Sequence, residues 1–455
     1  MMDDYDVIVV GGGPGGSTVA GLTAAEGHRV LLLDKDRFPR YQIGESLLPA
    51  TVHGICAMLG VREEIERAGF VRKRGGTFKW GTGAEPWTFS FAASDRMAGP
   101  TSYAYQVERA RFDTLLLDGA RRLGAEIRQG HRALGTLRAG ERIGGVRYLD
   151  DAGYERHATA RFVVDASGHG SRLHHDVGGI REYSPHFRNL ALFGYFEGGQ
   201  RMPAPDAGNI LCVSFADGWF WYIPLSDTLT SVGAVVKQES ADRVQGDPET
   251  AYSALIEDCP LIEEFLRDAR RATEPPYDRL RVRKDYSYDR TVLWSPGMVL
   301  VGDAACFIDP VFSSGVHLAT YSGLLAARSI NSTLSGFADE KRCFAEFEAR
   351  YRREFGLFRD FLISFYRLDS GEDDYFRQAR RLTGHHGTAD EAFAELVGGV
   401  SSQDFSRAMF GDVLAEGVQL QLRGLLGEAA GDEPPMFPGG LVPTADGRRW
   451  RVPDA

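Results

Sequence analysis

Apolar residues change their spacing three times along the chain. Val7–Val10 and Val30–Leu33 are continuous apolar runs. Short runs of this kind, ended by turn residues, predict strands buried on both faces of a parallel sheet. The stretch "GWFWYIP", Gly218 to Pro224, packs its aromatics into a strand-like segment. Residues two apart on a strand face the same side, so Trp219 and Trp221 share a face, and on that pattern alone they are core. After about residue 335 the spacing turns helical. "KRCFAEFEARYRREFGLFRDFLISFYRL", "ADEAFAELVGGV" and "DVLAEGVQLQLRGLLG" predict helices, with Phe358, Phe361, Phe365 and Tyr366 read as core. The closing "DEPPMFPGGLVPTADGRRWRVPDA" is rich in proline and glycine and predicts an extended tail.

The turn after the first run carries chemistry. Gly11, Gly13 and Gly16 form GxGxxG between a strand and a helix. Gly11 permits the tight turn, Gly13 lets backbone amides approach a pyrophosphate at the helix N-terminus, and Gly16 lets helix and strand pack closely. Asp34 ends the second strand, where a carboxylate would hold a ribose hydroxyl. This combination predicts dinucleotide binding.

Composition sets limits on partners. The 455 residues are 43% hydrophobic and 25% charged, which is globular, and the formal net charge is −11. With no long basic block, neither nucleic acid nor an anionic membrane is an expected partner. No apolar run approaches the ~18 residues of a membrane span. The five scattered cysteines lack CxxC spacing, which points to a reduced, cytoplasmic protein without structural disulfides or zinc. The acidic start, "MMDDYDVIVVGGG", does not read as a signal peptide.

Three further segments separate FAD from NAD. "QVERARFD" opens a helix after a strand, "FVVDASGHGSR" is a strand followed by a glycine turn, and "GMVLVGDAACFIDPVFSSGVHLA" holds a strand, Gly302-Asp303-Ala304 and a turn into a helix. With GxGxxG they resemble the Rossmann-like FAD-binding fold of the aromatic hydroxylases, an α/β class. The resemblance implies FAD contacts from Gln106, Arg109 and Asp303. An N-cap role for Asp303 is compatible with this. It also implies a discontinuous FAD domain (1–75, 101–180 and 285–335), a β-sheet substrate domain (76–100 and 181–284) and a C-terminal helical region with a tail (336–455).

On that background WxWxIP at Trp219, Trp221, Ile223 and Pro224 resembles the signature of flavin-dependent halogenases. In that family the two indoles are thought to keep organic substrate from the flavin. A C4a-hydroperoxide shielded in this way oxidises halide to hypohalous acid instead of hydroxylating a ring; large apolar indoles make such a wall. The resemblance implies further roles. Lys79, in "RKRGGTFKWG", matches the active-site lysine; a lone strand lysine would ordinarily be solvated, whereas burial between Phe78 and Trp80 would lower its pKa. Ser314, Gly315 and Val316, in "DPVFSSGVH", match the halide-binding turn, with backbone amides at a helix start. His317 reads equally as a pocket residue or a packed one. Phe312 stands where the tryptophan-specific branch carries a glutamate. Gly44, Glu45 and Ser46 match a motif beside the cofactor.

The resemblance spans nearly the whole chain and is nearest to the tyrosine and β-hydroxytyrosine halogenases of glycopeptide-antibiotic assembly, a nonribosomal pathway. It implies chlorination of a tyrosine-type phenol on a peptidyl carrier protein, with FADH2 from a separate flavin reductase and chloride as co-substrate. Arg281, Arg283, Lys284 and Arg290 would offer a basic face to an acidic carrier, or form an ordinary solvated strand face. The competing readings are an NAD(P)H-dependent aromatic hydroxylase, a halogenase of a free phenol or pyrrole, and a catalytically silent flavoprotein.

Overall fold

The computed structural model describes residues 4–83, 85–284, 287–401 and 434–453. The predicted helix in "DVLAEGVQLQLRGLLG" lies outside them. Both continuous apolar runs are buried strands of one sheet. Strand Tyr5–Val10 is central, parallel to Val30–Asp34 on one side and to Glu155–Asp165 on the other. Glu126–Gln129 and Met298–Leu300 extend the sheet in parallel. The long strand Glu155–Asp165 also pairs antiparallel with Arg142–Leu149, which pairs with Arg132–Ala139. Helix Pro14–Ala24 is buried along its whole length and packs on helix Ser314–Leu334. Glycine makes that contact close: a Cβ on Gly323 would sit 2.8 Å from the Gly15 carbonyl oxygen.

The second sheet runs Arg270–Arg271, Leu190–Glu197, Leu229–Val236, Gly218–Pro224, Ile210–Phe215, Gly75–Lys79, Trp87–Ser90, with Arg281–Lys284 also paired to Leu190–Glu197. It is antiparallel except where Ile210–Phe215 meets Gly75–Lys79. Its period-two alternation separates two cores. Phe78, Phe193, Cys212, Trp219, Trp221 and Val235 face the main core. Leu192, Val213, Phe220, Tyr222, Val232 and Ala234 face helices Pro248–Glu257 and Pro260–Leu266.

Helices Glu340–Phe365 and Ala389–Gly398 follow as the helical spacing predicts, and a further helix, Glu372–Thr383, lies between them. The proline- and glycine-rich tail is extended but anchored. Val442–Pro443 and Trp450–Arg451 pair as a short hairpin. The buried Trp450 donates its indole N–H to Ser329 (2.9 Å), with Arg328 and Arg350 over its ring. All five cysteines are buried free thiols. Among the described residues no helix is long and apolar enough to cross a membrane.

Candidate active site

A cavity of about 1010 Å3 runs from the glycine turn to the face carrying the two indoles. At one end Gly11 (φ +106°) turns where a Cβ would meet the Ala166 carbonyl oxygen at 2.3 Å, and a Cβ on Gly16 would fall 1.8 Å from the Gly11 oxygen. Gly13 opens towards the guanidinium of Arg40, which also lines the cavity. Asp34 closes this end. Its carboxylate accepts the Gly12 N–H (2.6 Å) and the Asp36 N–H (2.8 Å).

The middle of the cavity is built around Arg109. Its guanidinium forms a two-point ion pair with buried Asp113 (2.8 and 2.9 Å) and donates to the carbonyls of Ile43 (2.8 Å) and Gly44 (3.2 Å). Arg40 bonds the same Asp113 at 2.9 Å. Arg109 thereby pins the Gly44-Glu45-Ser46 segment against the cavity. Asp303, which also lines the cavity, is pushed up to about 6 by burial, against the pull of Arg109 and Arg283. Gln106 does not line the cavity. Its strand, Ala104–Gln106, pairs with Val71–Lys73, and its amide nitrogen is tied to the Gly208 carbonyl (3.1 Å).

At the far end Trp219 and Trp221 line the wall side by side, with ring centroids 6.1 Å apart. The neighbouring strand makes room for Trp221 at Gly233, where a Cβ would sit 2.2 Å from the indole. Each indole N–H is fixed: Trp221 donates to Ser231 (3.2 Å), Trp219 to the Tyr366 hydroxyl (2.7 Å). Tyr366 in turn donates to Asp309 (2.7 Å), whose other oxygen caps the Val311 N–H (3.1 Å). Burial pushes Asp309 up to about 6. One tyrosine from the helical region therefore ties the indole wall to the turn at Asp309–Ser313. Ser313 has φ +59°, the one non-glycine residue with positive φ among those described, and precedes helix Ser314–Leu334. Gly315 and Val316 of its first turn line the cavity; Ser314 is buried behind them. His317 is packed, bonded to Glu354 at 2.8 Å and stacked on Tyr321.

Lys79 is not at this site. Its strand partner is Val213, on the face that packs against the two short helices, while Phe78 pairs with Cys212 on the cavity side. Adjacent strand residues point to opposite faces, so a lysine between two inward-facing aromatics faces out of that core. Its charge acts instead on the Cys259 thiol beside helix Pro260–Leu266. The lysine that reaches the turn is Lys73. It is 2% exposed, and its ammonium donates to Ser46 Oγ (2.9 Å), the Leu47 carbonyl (3.1 Å) and Ser313 Oγ (3.4 Å). Ser46 and Ser313 both line the cavity. Burial brings Lys73 down to about 7, so neutral and charged forms are both populated at neutral pH.

A glycine turn, a long cavity, an indole wall and a buried lysine beside a helix N-terminus occur together. The tryptophan halogenase family matches residues 6–99 and 93–410. The chain belongs to the flavin-dependent halogenases. A tryptophan 2-halogenase of Chondromyces crocatus is 35% identical over 405 residues, covering 87% of this chain and 75% of that protein. A 1H-pyrrole-2-carbonyl-[peptidyl-carrier protein] chlorinase of Pseudomonas fluorescens is 30% identical over 397 residues, covering 80% and 84%. The structure of the myxobacterial chondrochloren halogenase CndH, an FAD-dependent enzyme, superposes with TM-score 0.81 at 52% identity, covering 98% of this chain and 99% of that one.

The cavity of this halogenase fits FAD: Gly11 and Gly16 close the turn tightly on its own backbone, and Gly13 stays open with Arg40 facing it where a pyrophosphate would lie. Bound reduced flavin supplies the electrons that let dioxygen oxidise a halide. The residues that would hold the cofactor lie at the glycine-turn end, the two indoles line the far end, and Lys73 stands behind the turn. Arg40, Lys73, Tyr366 and Asp309 are the site residues that sequence reading missed. The signal for Lys73 was the alternation itself, which excludes Lys79 once Phe78 and Trp80 are placed in the core.

Proposed function

We propose that this halogenase chlorinates a phenolic, tyrosine-type ring, β-hydroxytyrosine in particular, carried on a peptidyl carrier protein during nonribosomal assembly of an antibiotic. FADH2 comes from a separate flavin reductase, with dioxygen and chloride as co-substrates. Chloride is held by the first-turn amides of Ser314, Gly315 and Val316, and Lys73 hands the oxidised halogen to the ring. The charged lysine hydrogen-bonds hypochlorous acid, and the neutral amine forms a haloamine; burial makes both forms accessible.

The observation that carries the phenol is Phe312. It packs among Phe78, Phe361, Phe365 and Phe393, where the tryptophan-specific branch has a glutamate by the resemblance drawn above. A phenol activates its own ortho carbon and depends least on such an acid. The carrier is supported by the Pseudomonas relative, which is named for a carrier-bound acyl group, and by exposed Arg283 and Lys284 at the cavity rim. Two of the four basic residues expected there do not serve: Arg290 is buried and bonded to the Ala304 carbonyl (2.9 Å), and Arg281 stacks on Tyr41.

The test is a mass spectrum of the protein with FAD, a flavin reductase, NADH and chloride, offered free tyrosine or carrier-loaded tyrosine and β-hydroxytyrosine. A chlorine isotope pattern confined to the loaded carrier is expected. Chlorination of free tyrosine overturns the carrier requirement, and gain of oxygen in place of chlorine overturns the role given to the indole wall.

A further inference from the structure

A second buried titratable group lines the cavity, and the halogenation chemistry above leaves it unused. Glu45 is 2% exposed. Its Oε1 accepts the hydroxyl of Tyr195 (2.8 Å), and its Oε2 is buried without a protein partner. Tyr195 is itself fully buried, and its oxygen lies 2.7 Å from that of Tyr41, a half-buried residue at the cavity edge. Because Tyr195 spends its proton on Glu45, Tyr41 must donate to Tyr195. The hydroxyls therefore form one ordered file from the cavity edge to the carboxylate. Other groups surround the carboxyl. Ser231, on strand Leu229–Val236, acts on it from nearby and accepts the Trp221 indole N–H. Arg109 and Glu108 act on it from the start of helix Arg109–Arg122. Arg281 covers Tyr41 at 3.8 Å, and Tyr277 beside Tyr195 is bonded to Glu108 (2.8 Å).

We propose that Glu45 is the proton store of the flavin site, and that Tyr195 and Tyr41 relay its proton to and from solvent. The inference rests on FAD occupying this cavity. Reduced flavin is an anion near neutral pH. An anion held in the cavity that Glu45 lines would disfavour a second negative charge there, so the carboxylate would take up a proton. Transfer is balanced along the file: solvent gives a proton to Tyr41, Tyr41 gives its own to Tyr195, and Tyr195 gives its own to Glu45 Oε1. The reverse order returns it. Oxidation of chloride by dioxygen and anionic reduced flavin, giving hypochlorous acid, water and oxidised flavin, consumes two protons. Glu45 holds one of them inside a site whose indoles exclude water. Burial already pushes Glu45 up to about 7, against the pull of Ser231, Tyr195 and Arg109, so the proton is gained and lost near working pH.

The test is a redox titration of FAD bound to the protein, with mediators and an electrode, from pH 6 to 9. Near pH 8, where Glu45 is ionised before reduction, the wild type takes up close to two protons per two electrons and Glu45→Gln takes up one, halving the pH slope of the potential. Equal slopes overturn the proposal. So does loss of the second proton in Asp303→Asn or Asp309→Asn rather than in Glu45→Gln, since both of these raised carboxyls also line the cavity. If Glu45→Gln does not fold, proton uptake counted at pH 8 with an indicator dye during photoreduction of the wild type, Asp303→Asn and Asp309→Asn decides: two protons in all three are expected, and one proton in the wild type, or loss of the second in either variant, refutes. Tyr195→Phe keeps the equilibrium count but slows uptake at least tenfold; an unchanged rate overturns the relay. A protein that binds no flavin would overturn the FAD reading instead, a result distinct from bound flavin with one proton.

Discussion

Lys73→Met separates stability from catalysis in one substitution. The ammonium sits 2% exposed, held by Ser46, Leu47 and Ser313. Burial takes the group from 10.5 to about 7, which at about 1.36 kcal/mol per unit places a cost on the order of 5 kcal/mol on the folded state. Between pH 7 and 10.5 the unfolded chain binds this proton and the folded chain does not. Stability therefore rises with pH across that window, and the full cost applies below it. Methionine keeps the stem and removes the charge. The freed hydroxyls of Ser46 and Ser313 line the cavity and can turn to other partners, so the loss is that of the Leu47 carbonyl, about 1–3 kcal/mol. Lys73→Met is expected to stabilise the protein by about 2–4 kcal/mol at pH 7 in urea denaturation, with the gain shrinking towards pH 10. Chlorination should fall by at least about 100-fold. The paired control is Lys79→Met, expected to retain chlorination and to change stability by less than about 1 kcal/mol. Destabilisation by Lys73→Met at pH 7 would refute the burial argument. Chlorination surviving Lys73→Met but lost in Lys79→Met would restore the sequence-based assignment.

Gly233→Ala forces a methyl group to within 2.2 Å of the Trp221 ring; a destabilisation of about 1–3 kcal/mol, a shift in tryptophan emission and more hydrogen peroxide released per NADH are expected. Tyr366→Phe removes the acceptor of the Trp219 indole N–H and a donor to Asp309; KM for chloride should rise while FAD affinity, read by flavin fluorescence, stays unchanged. Glu45→Gln mimics the protonated acid. Because the folded carboxyl is raised from 4.5 to about 7, the wild type loses stability as pH rises through that window. The variant should match it near pH 4 and exceed it by about 3 kcal/mol at pH 8 in urea denaturation of the flavin-free protein.

The order of the chain explains which of these residues could be foreseen. The cofactor end was legible because its determinants are local. Continuous apolar runs mark buried parallel strands, and Gly11 and Gly16 are required by contacts within the turn or with the strand beside it. Trp219 and Trp221 share a face because they are two residues apart, whatever surrounds the sheet. The long helix Glu340–Phe365 announced itself by spacing, whereas helix Glu372–Thr383 and the burial of Trp450 inside the tail were not visible there.

The reacting end was decided by tertiary structure. Lys73 and Lys79 are six residues apart and chemically alike, yet one is buried by Ser46, Leu47 and Ser313, which come from distant parts of the chain, and the other is turned away by its pairing with Val213. Arg290 looked like a member of a basic surface and is buried at the Ala304 carbonyl. Glu45 became a proton store only when strands Leu190–Glu197 and Leu229–Val236 brought Tyr195 and Ser231 to it. Burial and charge depend on which segments meet. Sequence by itself sets the period of a strand and the flexibility of a turn, but it does not set the dielectric around a side chain, and that surrounding decides which lysine and which carboxyl titrate near neutral pH.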